Sequence, residues 1–164
     1  MGLIADRLDS LRVHASVMDG GICGELQGRT TVRITVAPWV VVNDRGLERH
    51  FESLARLLWA ARMRAYFAAV SEAFGERVTR EPVPVGSRDV AYRTARDGIV
   101  ARGSSRDGRV VVEVLGMRQW RVAVRGAADT ALGSAAQEAA EALIRDQIRQ
   151  VRGLKRTIWH PVCR

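Results

Sequence analysis

Arg149, Arg152 and Arg156 are spaced i, i+3 and i+7, which puts three permanent cations on one face of a helix. A row of guanidinium groups at that pitch suits contact with successive phosphates of a nucleic-acid backbone. The same half of the chain offers Arg102, Arg106, Arg109, Arg118, Arg121 and Arg125 in strand-like segments and turns, and Arg145 and Lys155 beside the row. Together they form the candidate nucleic-acid-binding set. No helix-turn-helix or zinc-finger spacing accompanies them, so the expected contact is to the phosphate backbone of DNA, with little sequence preference.

Charge points the same way. Residues 1–76 hold nine Arg and nine acidic residues and are neutral, whereas residues 77–164 hold sixteen Arg, one Lys and nine acids and carry the whole +8. A basic half beside a neutral half suggests one polyanion-binding face. The competing explanation is compositional: Arg outnumbers Lys 25 to one, as in a GC-rich coding sequence, and cations near a helix C-terminus are favoured by its dipole.

Other chemistry is poorly provided for. His160 and Cys163 make two metal ligands where structural zinc wants four. His14 and His50 are isolated from any nucleophile or carboxylate arrangement of a triad. Gly20-Gly21-Ile22-Cys23-Gly24 leads into a strand instead of opening a helix, unlike a phosphate-cradling loop. The expectation is a protein that is not an enzyme, with no metal and no cofactor. Cys23 and Cys163 do not make a disulfide framework and read as free thiols of a reducing compartment. With no apolar run near ~18 residues and no secretory h-region, no membrane association and a cytoplasmic location are expected.

The elements that must position these groups come in two copies. At an offset of 88 residues, Asp19-Gly20 lies over Asp107-Gly108, Glu25 over Glu113, Gly28 over Gly116, Arg33 over Arg121 and Val36 over Val124, without a gap. One supersecondary unit used twice is the reading. In the first unit, residues 3–12 read as a short amphipathic helix and 13–17, 21–27 and 30–42 as strands. A helix from Asn43-Asp44 to Phe74, stopped by Gly75, completes it. The second unit repeats the plan: a weak helix over 89–96, strands at 99–103 and around Val110–Val114 and Trp120–Val124, and a helix with a capping-box spacing at Ser134 and Gln137.

The fold class is therefore α+β: two tandem (α)βββα units, each an antiparallel three-stranded meander followed by a long helix, related by a pseudo-twofold. The first unit is 1–76, a Pro- and Gly-bearing linker 77–90, and the second unit 91–164. A three-residue turn centred on Arg29 predicts Glu25 opposite Arg33 on the wet face, and Glu113 opposite Arg121. The first long helix carries two stripes. Leu47, Phe51, Leu54, Leu58 and Ala61 suit the sheet, while Trp59, Met63, Tyr66 and Val70 are offset and make the candidate interface, with the other unit or with another subunit. On the buried face Trp120 stands where the first unit has Val32, which calls for small neighbours.

The runs Gly20-Gly21-Ile22-Cys23-Gly24-Glu25-Leu26-Gln27-Gly28 with Val32-Arg33-Ile34-Thr35-Val36, and Asp107-Gly108-Arg109-Val110-Val111-Val112-Glu113-Val114-Leu115-Gly116 with Trp120-Arg121-Val122-Ala123-Val124, each precede a long Ala-bearing helix. This pattern resembles the YbaB/EbfC family of small bacterial nucleoid-associated proteins, here in a tandem, actinobacterial-type version. The resemblance implies low-specificity DNA binding, no catalytic residues, and a pairing of units within one chain that the family makes between two. Some actinobacterial relatives are tied to specialised secretion. The alternative expectation is accordingly a protein–protein adaptor or chaperone of a secretion or phage-like system, associating through the long helices.

Overall fold

Glycines in the left-handed region set the hairpins. Gly20 (φ 86°) and Gly28 (φ 60°) have counterparts 88 residues on in Gly108 (φ 68°) and Gly116 (φ 58°), at backbone angles that strain residues bearing a Cβ. The computed structural model describes residues 2–160. Strands β1 (Arg12–Val17), β2 (Ile22–Gln27) and β3 (Thr31–Val36) form one antiparallel sheet; β4 (Val100–Ser104), β5 (Val110–Leu115) and β6 (Gln119–Val124) form the other. Helices α1 (Gly2–Ser10) and α2 (Asp44–Phe74) flank the first sheet in sequence, and α3 (Ser87–Asp97) and α4 (Thr130–Trp159) the second.

The strand registers match expectation. Glu25 pairs with Arg33, and Glu113 with Arg121. The correspondence also extends to the first strands: the row His14–Glu25–Arg33 across one sheet becomes Arg102–Glu113–Arg121 across the other. It reaches the short helices too. Gly28 lies against the carbonyl of Asp9 and Gly116 against that of Asp97. The Gly28 N–H donates to Leu11 O and the Gly116 N–H to Ile99 O. The repeated unit is thus α–βββ–α.

Three boundaries differ from the sequence reading. The third strand stops at Val36, because Ala37 N–H bonds back to Gly21 O and Val40 N–H to Ala37 O, folding Val40 into the core. Helix α3 begins at Ser87, inside the 77–90 stretch read as linker, after an extended Gly86 and without a side-chain cap. Helix α4 begins at Thr130, capped by Asp129, whose carboxylate accepts from Leu132 N–H at 2.8 Å; Ser134 and Gln137 lie within the helix. The ends of α2 are as expected: Asn43 accepts from Gly46 N–H at 2.8 Å, and Gly75 (φ 69°) closes it.

Each long helix buries one stripe on its own sheet and reaches the other. Leu47, Phe51, Leu54 and Leu58 of α2 are buried, as are Leu132, Ala135, Ala136, Ala139 and Leu143 of α4, in one apolar core that includes both sheets. Full burial of a Leu contributes about 1.5–3 kcal/mol. Across the units, Glu52 Oε1 accepts from Val122 N–H at 3.2 Å and Glu48 Oε1 from Val124 N–H at 3.1 Å. From α4, Glu141 Oε1 accepts from Val32 N–H at 3.1 Å. On its own unit α4 covers β4: Asp146 accepts from Arg102 N–H, Glu138 from Arg106 N–H, and Gln150 donates to Val100 O. Outer strand edges carry ladder groups with no strand partner, and leaving one buried without a bond costs about 1–3 kcal/mol. Helix carboxylates take the place of the missing strands.

Candidate nucleic-acid interface

The burial of Leu132, Ala136, Ala139 and Leu143 fixes which side of α4 faces water, and Arg145, Arg149, Arg152 and Arg156 all fall on that side and are exposed. Asp146 links the row to the sheet. Its carboxylate accepts from Arg102 N–H at 3.0 Å and from Gln150, and it ion-pairs with Arg149. The bond from the Arg102 backbone is the largest influence holding the Asp146 carboxyl below its ordinary range. The Arg102 side chain is exposed in the outer row of the sheet with Glu113 and Arg121, so only its backbone meets α4. Arg145 lies 4.0 Å from Glu141. Arg152 and Arg156 pair with no carboxylate among the described residues. Lys155 Nζ stands 5.9 Å from the Tyr92 ring, which meets Trp159 edge-to-face at 4.8 Å, so α3 supports the end of α4.

The remaining candidates are spread over the second sheet. Arg121 is exposed on its outer face, separated from Arg102 by Glu113. Arg106 and Arg125 are exposed at the β4–β5 end. Arg109, at the same end, spends its donors inside the chain: on Asp129 at 2.8 Å, on Arg125 O at 3.1 Å and on Ala127 O. Its bond to Asp129 leads the influences that lower that carboxyl's pKa. Arg109 braces the α4 cap and leaves little for a phosphate. Arg118 is exposed at the β5–β6 turn, the opposite end of the sheet, 4.0 Å from Asp97. Of the ten residues, Arg149, Arg152 and Arg156 share one exposed helix face with Lys155 nearby, and the others are outlying cations of the second sheet and its turns.

The apolar stripe of α2 is half-buried within the chain: Trp59, Met63, Tyr66 and Val70 are all partly covered. Trp59, Met63 and Tyr66 line a groove of about 630 Å³ shared with α3 and the β5–β6 turn. Trp120 is half-buried and lines a cavity whose walls also include Ala136 and Ala140. Arg62, which no spacing argument singled out, lines both spaces and donates to Gly28 O at 2.8 Å.

Cys23 is a free, half-buried thiol; Cys163 lies outside the described residues. Among the described residues no three His, Cys, Asp or Glu side chains gather as metal ligands, and no helix is long and apolar enough to cross a membrane. No protein-family model, curated protein or solved structure matches this chain.

Proposed function

We propose that this is a non-enzymatic, cytoplasmic DNA-binding protein of the nucleoid-associated type that the YbaB/EbfC-like pattern suggests. Its two α–βββ–α units form, within one polypeptide, a pseudo-twofold pair in which each long helix seals an edge strand of the other unit. The observation that carries the reading is the exposed row Arg145, Arg149, Arg152 and Arg156 on one face of α4. Such a row engages backbone phosphates whatever the base sequence. Its test is titration of duplex DNA at several salt concentrations with the wild type and an Arg149→Ala/Arg152→Ala/Arg156→Ala variant. Affinity should fall steeply with salt and fall further in the variant. Micromolar binding indifferent to both overturns the reading.

A second reading, an adaptor for a protein partner, is favoured by one observation: Trp39 and Val41 are 58% and 88% exposed on the loop between β3 and α2. Contiguous exposed apolar patches mark association surfaces, and these two side chains lie two residues apart on one loop. A pull-down from the native host that recovers one stoichiometric protein and no nucleic acid supports it.

A further inference from the structure

Between the two units lies a cavity of about 210 Å³, lined by Val32, Leu58, Val112, Ala140, Trp120 and other apolar side chains of both sheets and both long helices. It exceeds the ~150 Å³ of an engineered apolar cavity that admits benzene. Four residues bring polar groups to its lining: Arg29, Arg62, Gln147 and Trp120. Trp120 Nε1–H is buried and has no hydrogen-bond partner. Arg62 lines the cavity and also the adjoining 630 Å³ groove; Trp59, Met117 and Gln147 border both spaces as well, so these four side chains stand where the two meet.

Arg62 is the unusual group. It is half-buried, its guanidinium donates to a neutral carbonyl, Gly28 O, and no carboxylate among the described residues pairs with it. Burial is the main influence lowering its pKa, and the nearby Arg29 cation adds to the effect. A partly buried cation without a counter-charge is costly to maintain. The groove beyond it carries an excess of positive charge: Arg62, Arg80, Arg93, Arg96 and Arg118 line it against Glu81 and Asp97. Glu81 is taken up by Arg96 through two bonds of 2.8 Å, and Asp97 contacts Arg96 and Arg118.

We propose that this pair of spaces binds a single-chain amphipathic anion, its hydrocarbon tail in the cavity between the sheets and its head beside Arg62 where the two meet. The apolar walls take the tail by removing its methylenes from water. The head supplies the counter-charge that the chain withholds from Arg62. A cationic or uncharged head of equal tail length lacks that contribution. The site does not depend on the proposed DNA contacts: the Arg149, Arg152 and Arg156 row lines neither space, so either proposal stands if the other fails.

The test uses the whole chain and three probes with ten-carbon chains: decanoate and decyltrimethylammonium below their micellar concentrations, and decanol below its solubility limit. Calorimetry should give saturable decanoate binding with Kd on the order of 0.01 mM, decanol weaker by about tenfold, and the cation weaker still. Among the four tryptophan indole N–H resonances, those of Trp59 and Trp120 should shift with decanoate while Trp39 and Trp159 hold still. Arg62→Gln should weaken decanoate about tenfold and leave decanol unchanged. Ala140→Phe, which fills the cavity, should remove both, with folding checked by circular dichroism; should it not fold, the indole shifts and Arg62→Gln decide. Absence of saturable decanoate binding, or a cation that binds as well as decanoate, overturns the proposal. So does a dimer by sedimentation whose interface covers the groove and excludes decanoate.

Discussion

The two halves of this molecule solve one packing problem by opposite means. At the paired position Ala15–Gly24 of the first sheet the small residue sits on the middle strand, and Leu54 and Leu58 of α2 press into the space a Cβ would occupy. At the corresponding pair Gly103–Val112 of the second sheet the glycine has moved to β4, and α4 rests its own backbone, Ala139 O and Leu143 N, against it. Leucine tips fill the first contact and a helix backbone the second. A methyl group can be accommodated when its neighbour is the end of a flexible side chain, but backbone against backbone leaves nothing to move. The second unit is thus the tighter joint, and it is also the one bearing the basic row.

That contrast is directly breakable. Gly103→Ala should destabilise the chain by about 3 kcal/mol in urea unfolding, because α4 must lift from β4. Gly24→Ala should cost only about 1 kcal/mol, since Leu58 can rotate away. Equal losses, or a larger loss at Gly24, would refute the account of the two joints. Next in size is the seal between units. Glu141→Ala should cost about 1.5 kcal/mol by leaving the Val32 N–H without its acceptor, and Glu141→Gln, which keeps an acceptor oxygen, should recover most of it.

The features legible in the sequence were those written in local chemistry. The glycines at 28 and 116, with a fixed three-residue turn, determined that Glu25 meets Arg33 and Glu113 meets Arg121. Asn43 and Gly75 announced both ends of α2. Elements whose local signals are absent or doubled are placed by contacts distant in sequence. Helix α3 has no side-chain cap and no buried residue, so its start at Ser87 left little trace. At α4 the spacing at Ser134 and Gln137 offered a plausible cap, but Asp129 lies where the helix actually starts and is held there by Arg109, twenty residues away. The same distance explains why Arg109 looked like a phosphate ligand. Glu48, Glu52 and Glu141 resemble ordinary solvated helix acids until the other unit's strand edge is placed beside them. The place of Arg62 between the cavity and the groove is likewise a product of how the units meet.

A smaller effect sharpens the comparison through pH. The Asp146 carboxyl is held below its ordinary pKa, chiefly by the Arg102 backbone N–H that ties α4 to β4. A carboxyl depressed in the folded state contributes stability above its unfolded pKa and loses it as pH falls through the folded value. Stability should therefore decline below about pH 4, and the decline should be shallower in Asp146→Asn. An unchanged slope in that variant would remove Asp146 from the acid response. The first unit has no carboxylate contact of this kind from α2 to β1 among the described residues.

The most direct test of the proposed phosphate contact again sets the two helices against each other. Helix α2 carries its own exposed cations, Arg45, Arg49 and Arg56, close to one face, with Arg56 ion-paired to Glu52 at 3.5 Å. Replacing those three by Ala removes the same formal charge as replacing Arg149, Arg152 and Arg156. The measurement is the slope of log affinity for duplex DNA against log salt concentration in both variants. The α4 variant should lose about 2.7 from the magnitude of the slope, the share of three phosphate contacts, and the α2 variant well under one. Equal losses would mean that net charge alone attracts DNA and that the α4 row is no interface.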